Sequence, residues 1–189
     1  MAHLAIVYFS GYGHTAKQAQ AVHEGAAGVA HVSMLPIDKD GEMPEGAWET
    51  LAAADGVVFG SPTYMGGAAW QFKKFADASS KPWFQLAWKD KVAAGFTNSA
   101  SINGDKGQTI TYFVTLAMQQ GMVWVGTGML PSNKKEASRN DVNWLAGSTG
   151  LLAQSPSDSS PDEGPLPGDL ETARQFGRRV AEVTQRLRG

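Results

Sequence analysis

The sequence predicts an α/β fold, a three-layer sandwich in which a five-stranded parallel sheet lies between two layers of helices. Two observations carry this reading. Short β-rich runs alternate with helical patterns along the whole chain, the arrangement expected of βαβ units. Most of the runs are nearly continuous in apolar residues, as in Gly56-Val57-Val58-Phe59-Gly60, which suits strands covered by helices on both faces. A length of 189 residues fits one domain over 1–189, long enough to bury a full core.

The strands are expected at 3–9, 30–35, 56–60, 91–97 and 122–127. A first helix near 14–28 carries Ala19, Val22, Ala26 and Val29 at helical spacing, with His23 beside that stripe. A short helix is expected near 46–54. A third near 67–79 puts Ala69, Phe72 and Ala76 on one face, and a fourth covers about 107–120. The last, near 169–188, repeats Ala173, Phe176, Gly177, Val180, Ala181 and Leu187 on one side. Asp169 is its expected N-cap, and Arg186 and Arg188 suit the negative end of its dipole. The stretch 128–168 breaks the regularity. Its part 155–168 is rich in Ser, Pro, Asp and Gly and is read as a mobile loop; 138–152 is read as ordered, because Val142, Trp144, Leu145, Leu151 and Leu152 need burial.

Composition narrows the function classes. There is no cysteine, so disulfides, thiolate metal sites and cysteine nucleophiles are excluded. Net charge is −2 with both signs dispersed, unlike the basic footprint of a nucleic-acid binder. No apolar run approaches the ~20 residues that span a bilayer, and the first residues enter a strand pattern without a secretory signal. The expectation is a cytoplasmic protein that binds small molecules. His3, His23 and His31 stand alone without metal-ligand spacing, so no metal site is expected.

In an open α/β sheet the ligand sits outside the carboxyl ends of the strands, where strand order reverses. The loop after the first strand reads Ser10-Gly11-Tyr12-Gly13-His14-Thr15 and runs straight into a helix. It offers free backbone N–H groups and a positive dipole end to an anion, with hydroxyls from Ser10 and Thr15. The Gly-x-Gly-x-x-Gly dinucleotide spacing is absent. The loop after the third strand, Gly60-Ser61-Pro62-Thr63-Tyr64-Met65-Gly66-Gly67, has the parts to hold a flat aromatic ring at its edge and on one face. The loop after the fourth runs from Thr97 to Gly107; its small polar residues leave room for a ligand, and Asn98, Ser99 and Asn103 can pair with ring carbonyls or imide nitrogens. Each loop alone also reads as an ordinary turn.

Together they resemble a family. Tyr8-Phe9-Ser10-Gly11-Tyr12-Gly13-His14-Thr15 is similar to the phosphate loop of the WrbA-type NAD(P)H:quinone oxidoreductases and FMN reductases, a flavodoxin-like branch. Gly60 to Gly66 followed by Gln71, Phe75 and Asp77 resembles their second flavin loop, and Gly107-Gln108-Thr109-Ile110 with Gly121-Met122 the segment after the third. The resemblance implies a flavodoxin-like sheet of order 2-1-3-4-5 and FMN as cofactor. It implies that Ser10, Tyr12, Gly13, His14 and Thr15 surround the phosphate, that Pro62, Thr63, Tyr64, Met65 and Gly66 contact the isoalloxazine, and that Asn98, Ser99, Ser101, Asn103 and Gly104 line its other edge. Tyr12 and Trp83 would meet the substrates, NAD(P)H and a quinone-like acceptor. A homodimer or homotetramer is expected from Trp70, which shares a helix face with Lys73, Lys74 and Asp77 and would suit a subunit contact, and from the apolar residues of 138–152.

Three departures stand out, of which one is that the segment 36–55 is shorter than in the tetrameric members of the family, which counts against a tetramer. Ala100, Ser101 and Ile102 interrupt a loop that is glycine-rich in the family, and a histidine expected before the Gly-Met pair is replaced by Gln119-Gln120. The implied activity is hydride transfer from NAD(P)H to FMN and then two-electron transfer to a quinone. The alternatives are a flavodoxin-like electron carrier and a non-catalytic flavin-binding scaffold.

Overall fold

In the computed structural model, which describes residues 1–188, the apolar runs pair into one mainly parallel sheet. Its strands are β1 (His3–Phe9), β2 (His31–Ile37), β3 (Gly56–Tyr64), β4 (Gly67–Ala68), β5 (Val92–Ser99), β6 (Val123–Trp124) and β7 (Leu151–Gln154). The main order is β2-β1-β3-β5-β6, the expected 2-1-3-4-5 arrangement with β5 in fourth place.

The fifth place differs from the single strand expected at 122–127. It is shared by two short pieces, each parallel to β5: Val123 and Trp124 pair with Val92 and Ala93, while Leu151 to Gln154 pair with Phe96 to Ser99. The chain leaves the edge after Trp124 and returns at Leu151. A polar Thr-Gly-rich stretch after Val125 offers no run of strand residues to fill the gap, so a later apolar run completes the edge.

The third strand is also longer than expected. It continues past Gly60 through Pro62 to Tyr64 and turns back into β4 across Met65 and Gly66. Both turn residues have positive φ (47° and 82°), the left-handed pair that a two-residue hairpin needs. β1 pairs with β3 only as far as Gly60, so Pro62 has a partner on one side alone, Asn98 of β5, and sits at a local sheet edge where proline is tolerated.

Helices α1 (His14–Ala27), α2 (Ala47–Ala53), α3 (Trp70–Ala78), α4 (Ser80–Trp83), α5 (Lys106–Gln119) and α6 (Pro167–Leu187) complete the layers. Alternation along the strands divides the core. Leu4, Ile6 and Val58 face α1 and α6 through Ala19, Val22, Phe176 and Val180. Ala5, Val7, Val57 and Phe59 face α2, α3 and α5 through Leu51, Phe72, Phe75, Phe113 and Leu116. Trp88 is buried in this second layer, and Lys91 donates to the last carbonyls of α2 at Leu51, Ala52 and Ala54. Among the described residues no helix is long and apolar enough to cross a membrane.

Asp169 does not cap α6. Leu166 holds the N-cap position and Pro167 starts the helix, where a missing N–H costs nothing. Asp169 is instead buried in the first turn, accepting two bonds from Arg139 (2.8 and 2.7 Å) and one from the Gln154 N–H (2.9 Å). This fastens the insertion between β6 and β7 to the sheet, and Arg139 lies 5.2 Å from the centre of the Trp144 ring.

Helices α1 and α6 pack at backbone contact. A Cβ on Gly177 would lie 2.0 Å from the Val22 carbonyl oxygen, and one on Gly25 1.8 Å from that of Arg174. Gly177→Ala gains about 1 kcal/mol of helix propensity, but the added methyl forces the helices apart, and such overpacking costs typically ~1–3 kcal/mol or more. Against a backbone oxygen with no side chain to move aside, the clash wins. We expect urea unfolding to report a net loss of at least about 1 kcal/mol for Gly177→Ala. Gly28→Ala, whose added Cβ meets nothing within 4 Å, should stay within ~0.5 kcal/mol of the parent.

Candidate cofactor site

The loops after β1, β3 and β5 meet in a cleft of about 470 Å³ at the carboxyl ends of the strands, within the usual range for a small-molecule site. Its walls bring together Tyr12, His14, Thr15, Pro62, Thr63, Tyr64, Asn98 and Ser99 of the expected residues.

At one end the chain turns from β1 into α1. Gly13 has φ of 88°, the left-handed conformation that starts the helix and leaves the His14 and Thr15 N–H groups without helical partners. Ser10 serves the loop itself, its Oγ accepting the Ala16 N–H at 3.1 Å. Thr15 is buried, lines the cleft and makes no side-chain hydrogen bond among the described residues. Its hydroxyl, beside free helical N–H groups, is available to an anion. His14 is committed on one side. Its Nδ1 lies 2.9 Å from the Gly164 carbonyl oxygen, and since a carbonyl only accepts, Nδ1 carries the proton.

The middle of the cleft is floored by hydroxyls. Thr63 Oγ1 lies 2.8 Å from both Thr97 Oγ1 and Thr109 Oγ1, so its hydroxyl is spent inside the protein. Asn98 Oδ1 accepts from Ser155 Oγ at 3.1 Å; the amide nitrogen is uncommitted, on a residue that lines the cleft. Tyr64 and Tyr12 form the rim, edge to face at 6.2 Å between ring centres, with Tyr12 largely exposed. Burial first, and the Tyr12 phenol second, push the Tyr64 hydroxyl above its ordinary pKa.

Several expected residues lie outside the wall. Met65 is fully exposed at the hairpin tip with Gly66. Ser101 and Asn103 are exposed in the turn before α5, and Gly104 (φ 54°) packs its Cα on Ser99 Oγ. Trp83 sits at the end of α4, half-exposed against Phe84, away from the cleft wall. Gln120, in place of the histidine of the resemblance, is buried and donates to Ser79 O and Ser79 Oγ at 3.0 and 2.9 Å, while Gln119 is exposed.

Sequence reasoning missed a fourth wall. Ser155, Pro156, Ser157 and Ser159 line the cleft, and the strap they begin crosses the phosphate loop. Pro161 lies against Gly13, Asp162 pairs with Lys17 at 3.4 Å, and Gly164 accepts from His14. A run rich in Ser, Pro and Asp carries no periodicity, so only the tertiary contacts reveal its place. It also missed Lys106, the first residue of α5, which is buried and donates to Ser99 Oγ (2.7 Å) and Ser101 O (2.6 Å) behind the cleft wall. No group of three or more metal-ligating side chains occurs among the described residues.

The arrangement fits FMN: free helical amides and the Thr15 hydroxyl for a phosphate, a slot beside Pro62 and Tyr64 for a flat ring, and the Asn98 amide for a ring acceptor. Comparison with known proteins agrees. Residues 11–137 match the family described as NADPH-dependent FMN reductase. The chain is 50% identical to flavodoxin FldP of Pseudomonas aeruginosa (strain UCBPP-PA14), over 99% of both chains. It is 32% identical to an NAD(P)H dehydrogenase (quinone) of Geotalea uraniireducens (strain Rf4), over 96% of this chain and 97% of that one. The crystal structure of the flavodoxin, WrbA-like protein from Agrobacterium tumefaciens superposes with a TM-score of 0.80 at 46% identity, covering 98% of this chain and 99% of that one. With the cleft, the sheet order and these likenesses in agreement, the chain belongs to the NADPH-dependent FMN reductase family of flavodoxin-like proteins, whose cofactor is FMN.

Proposed function

We propose that the protein is an FMN-dependent oxidoreductase that takes a hydride from NAD(P)H and delivers two electrons to a quinone or a similar acceptor. The observation that carries this reading is the cleft itself, polar and anion-seeking at the Thr15 end and open between two tyrosines at the other. When bound, FMN supplies the hydride and electron chemistry. The chain's own residues bind, orient and shield. The first-turn amides of α1 and the Thr15 hydroxyl hold the phosphate. Pro62 stiffens the wall along the ring edge, and the Asn98 amide donates to a ring acceptor with its other end fixed by Ser155. The strap from Ser155 to Gly164 covers the phosphate end and keeps water from it. Tyr12 and Tyr64 flank the open face, where nicotinamide and acceptor take turns, which gives ping-pong kinetics.

An electron carrier is the second reading, favoured by the 50% identity to a protein named a flavodoxin. Anaerobic stopped-flow mixing of the FMN-loaded protein with NADPH and with NADH separates the two. An oxidoreductase bleaches the flavin absorbance with either nucleotide; a carrier stays oxidised with both and bleaches only with dithionite.

The NAD(P)H-linked chemistry rests on a phosphate site that mutation can probe. A charge-assisted hydrogen bond contributes roughly 1.5–3 kcal/mol, so Thr15→Ala should weaken FMN binding about ten- to a hundred-fold, as read by flavin fluorescence quenching. Excess FMN should restore turnover in this variant, because occupancy and not chemistry is lost. An unchanged affinity would remove Thr15 from the phosphate site.

We also propose a homodimer or homotetramer. Trp83, Phe84 and Leu86 form an exposed apolar cluster with Trp70 likewise uncovered, and such surface favours a subunit contact. Light scattering of the FMN-loaded protein should give a mass at least twice that of the 20.1 kDa chain; a monomer at micromolar concentration would end this proposal.

A further inference from the structure

We propose that Lys106 is a positioning residue of the third cofactor loop and that its ammonium is a built-in countercharge favouring reduced over oxidised FMN. The inference rests on the FMN site described above. Its ground is a cation that the fold buries without neutralising.

Lys106 is 1% exposed, yet it forms no ion pair among the described residues. The nearest anionic influence, Asp169 of α6, is already taken by both guanidinium bonds of Arg139 and by the Gln154 N–H. The lysine instead bonds two neutral oxygens, Ser99 Oγ and Ser101 O, which are joined to each other by a 3.0 Å bond. An ammonium has three donors, and the third has no protein partner here. Burying a charge without a counterion is costly, and an apolar residue of similar length would fill the same space without that cost. A buried cation at this point is explained if a negative charge arrives nearby.

The cleft is where one would arrive. Ser99 and Ala100 form its wall, and the ammonium lies 2.7 Å behind Ser99 Oγ. Two electrons and one proton, supplied by the reductant and the solvent, leave one added negative charge on the bound cofactor. Protonated Lys106 favours that state over the oxidised one. It also fixes the wall. Its bonds hold the turn 100–105, in which Asp105 and Gly104 take positive φ and a side chain at Gly104 would strike Ser99 Oγ.

The charge depends on pH. Burial is the main cause that brings the ammonium down from 10.5 to about 8; Asp169 pulls it up and Arg139 pushes it down further. Asp105 beside it in the chain is exposed, and Tyr12, His14 and Tyr64 are the titratable groups on the cleft side. The sign follows. Below about 8 the lysine is charged and its effect is complete; as pH rises through that value the effect is lost.

The test is the two-electron midpoint potential of the full-length, FMN-loaded protein, read anaerobically against a reference dye over a range of pH. Lys106→Gln keeps hydrogen-bond donors and drops the charge, and Lys106→Met drops both. At neutral pH each variant should bind reduced FMN, relative to oxidised FMN, at least ten-fold less well than the parent, a midpoint lower by about 30 mV or more. The gap should narrow as the pH is raised towards about 10, where the parent lysine has lost its proton. The parent alone should show the same inflection, which keeps the test decisive if a variant does not fold. Variants that bind oxidised FMN less well but keep the parent's potential would make Lys106 a structural residue and overturn the proposal. A parent that does not quench FMN fluorescence would overturn the FMN site and this proposal together.

Discussion

The reversal of strand order at β1 is the constraint from which the site follows. β1 pairs with β2 on one side and β3 on the other, so the chain winds first one way and then back. The loop after β1 must rise into α1 on one face of the sheet, and the loop after β3 must lead to α3 on the opposite face. Two loops that leave in opposite directions cannot close over one another. A crevice remains, and the carboxyl end of β5 supplies its third side.

What fills the surroundings of that crevice is polar chemistry that the core would otherwise refuse. Three threonine hydroxyls satisfy one another beneath it, Asn98 is held by one end so that the other stays free, and a lysine is buried with only neutral oxygens for company. Buried polar groups of this kind are stable only when their partners are fixed. The insertion between β6 and β7 provides part of that fixation, since its Arg139 ties Asp169 beside the lysine and also bonds Gln154 at the end of β7, which reaches the Ala100 carbonyl. The insertion thus bears on the cofactor loop as well as on the sheet edge.

Much of this was legible in the sequence. Continuous apolar runs marked β1 and the first half of β3, because strands buried on both faces have no polar side to confuse their pattern. The turn Ser10 to Thr15 stood out for the same reason that it works: glycines next to hydroxyls at a helix start. The second half of β3 was hidden by Pro62, which reads as a turn wherever the missing β1 neighbour is unknown. The split of the last sheet position between β6 and β7 was hidden because 26 residues lie between its two pieces, which are joined only through β5. Lys106 gave no signal at all. A lysine at a helix start looks like a solvated charge until the loop folds over it.

The strap over the phosphate loop also sets a schedule. His14 and Gly164, whose hydrogen bond fastens it to that loop, are 150 residues apart in the chain. At ~5–20 residues per second of synthesis, the first waits roughly 8–30 s for the second. For most of that interval the nascent chain has β1 and α1 but neither the fourth wall of the cleft nor the strand β7 that carries the chain into it. Capture of the cofactor in a closed site therefore waits until Gly164 has been made, long after the phosphate loop itself.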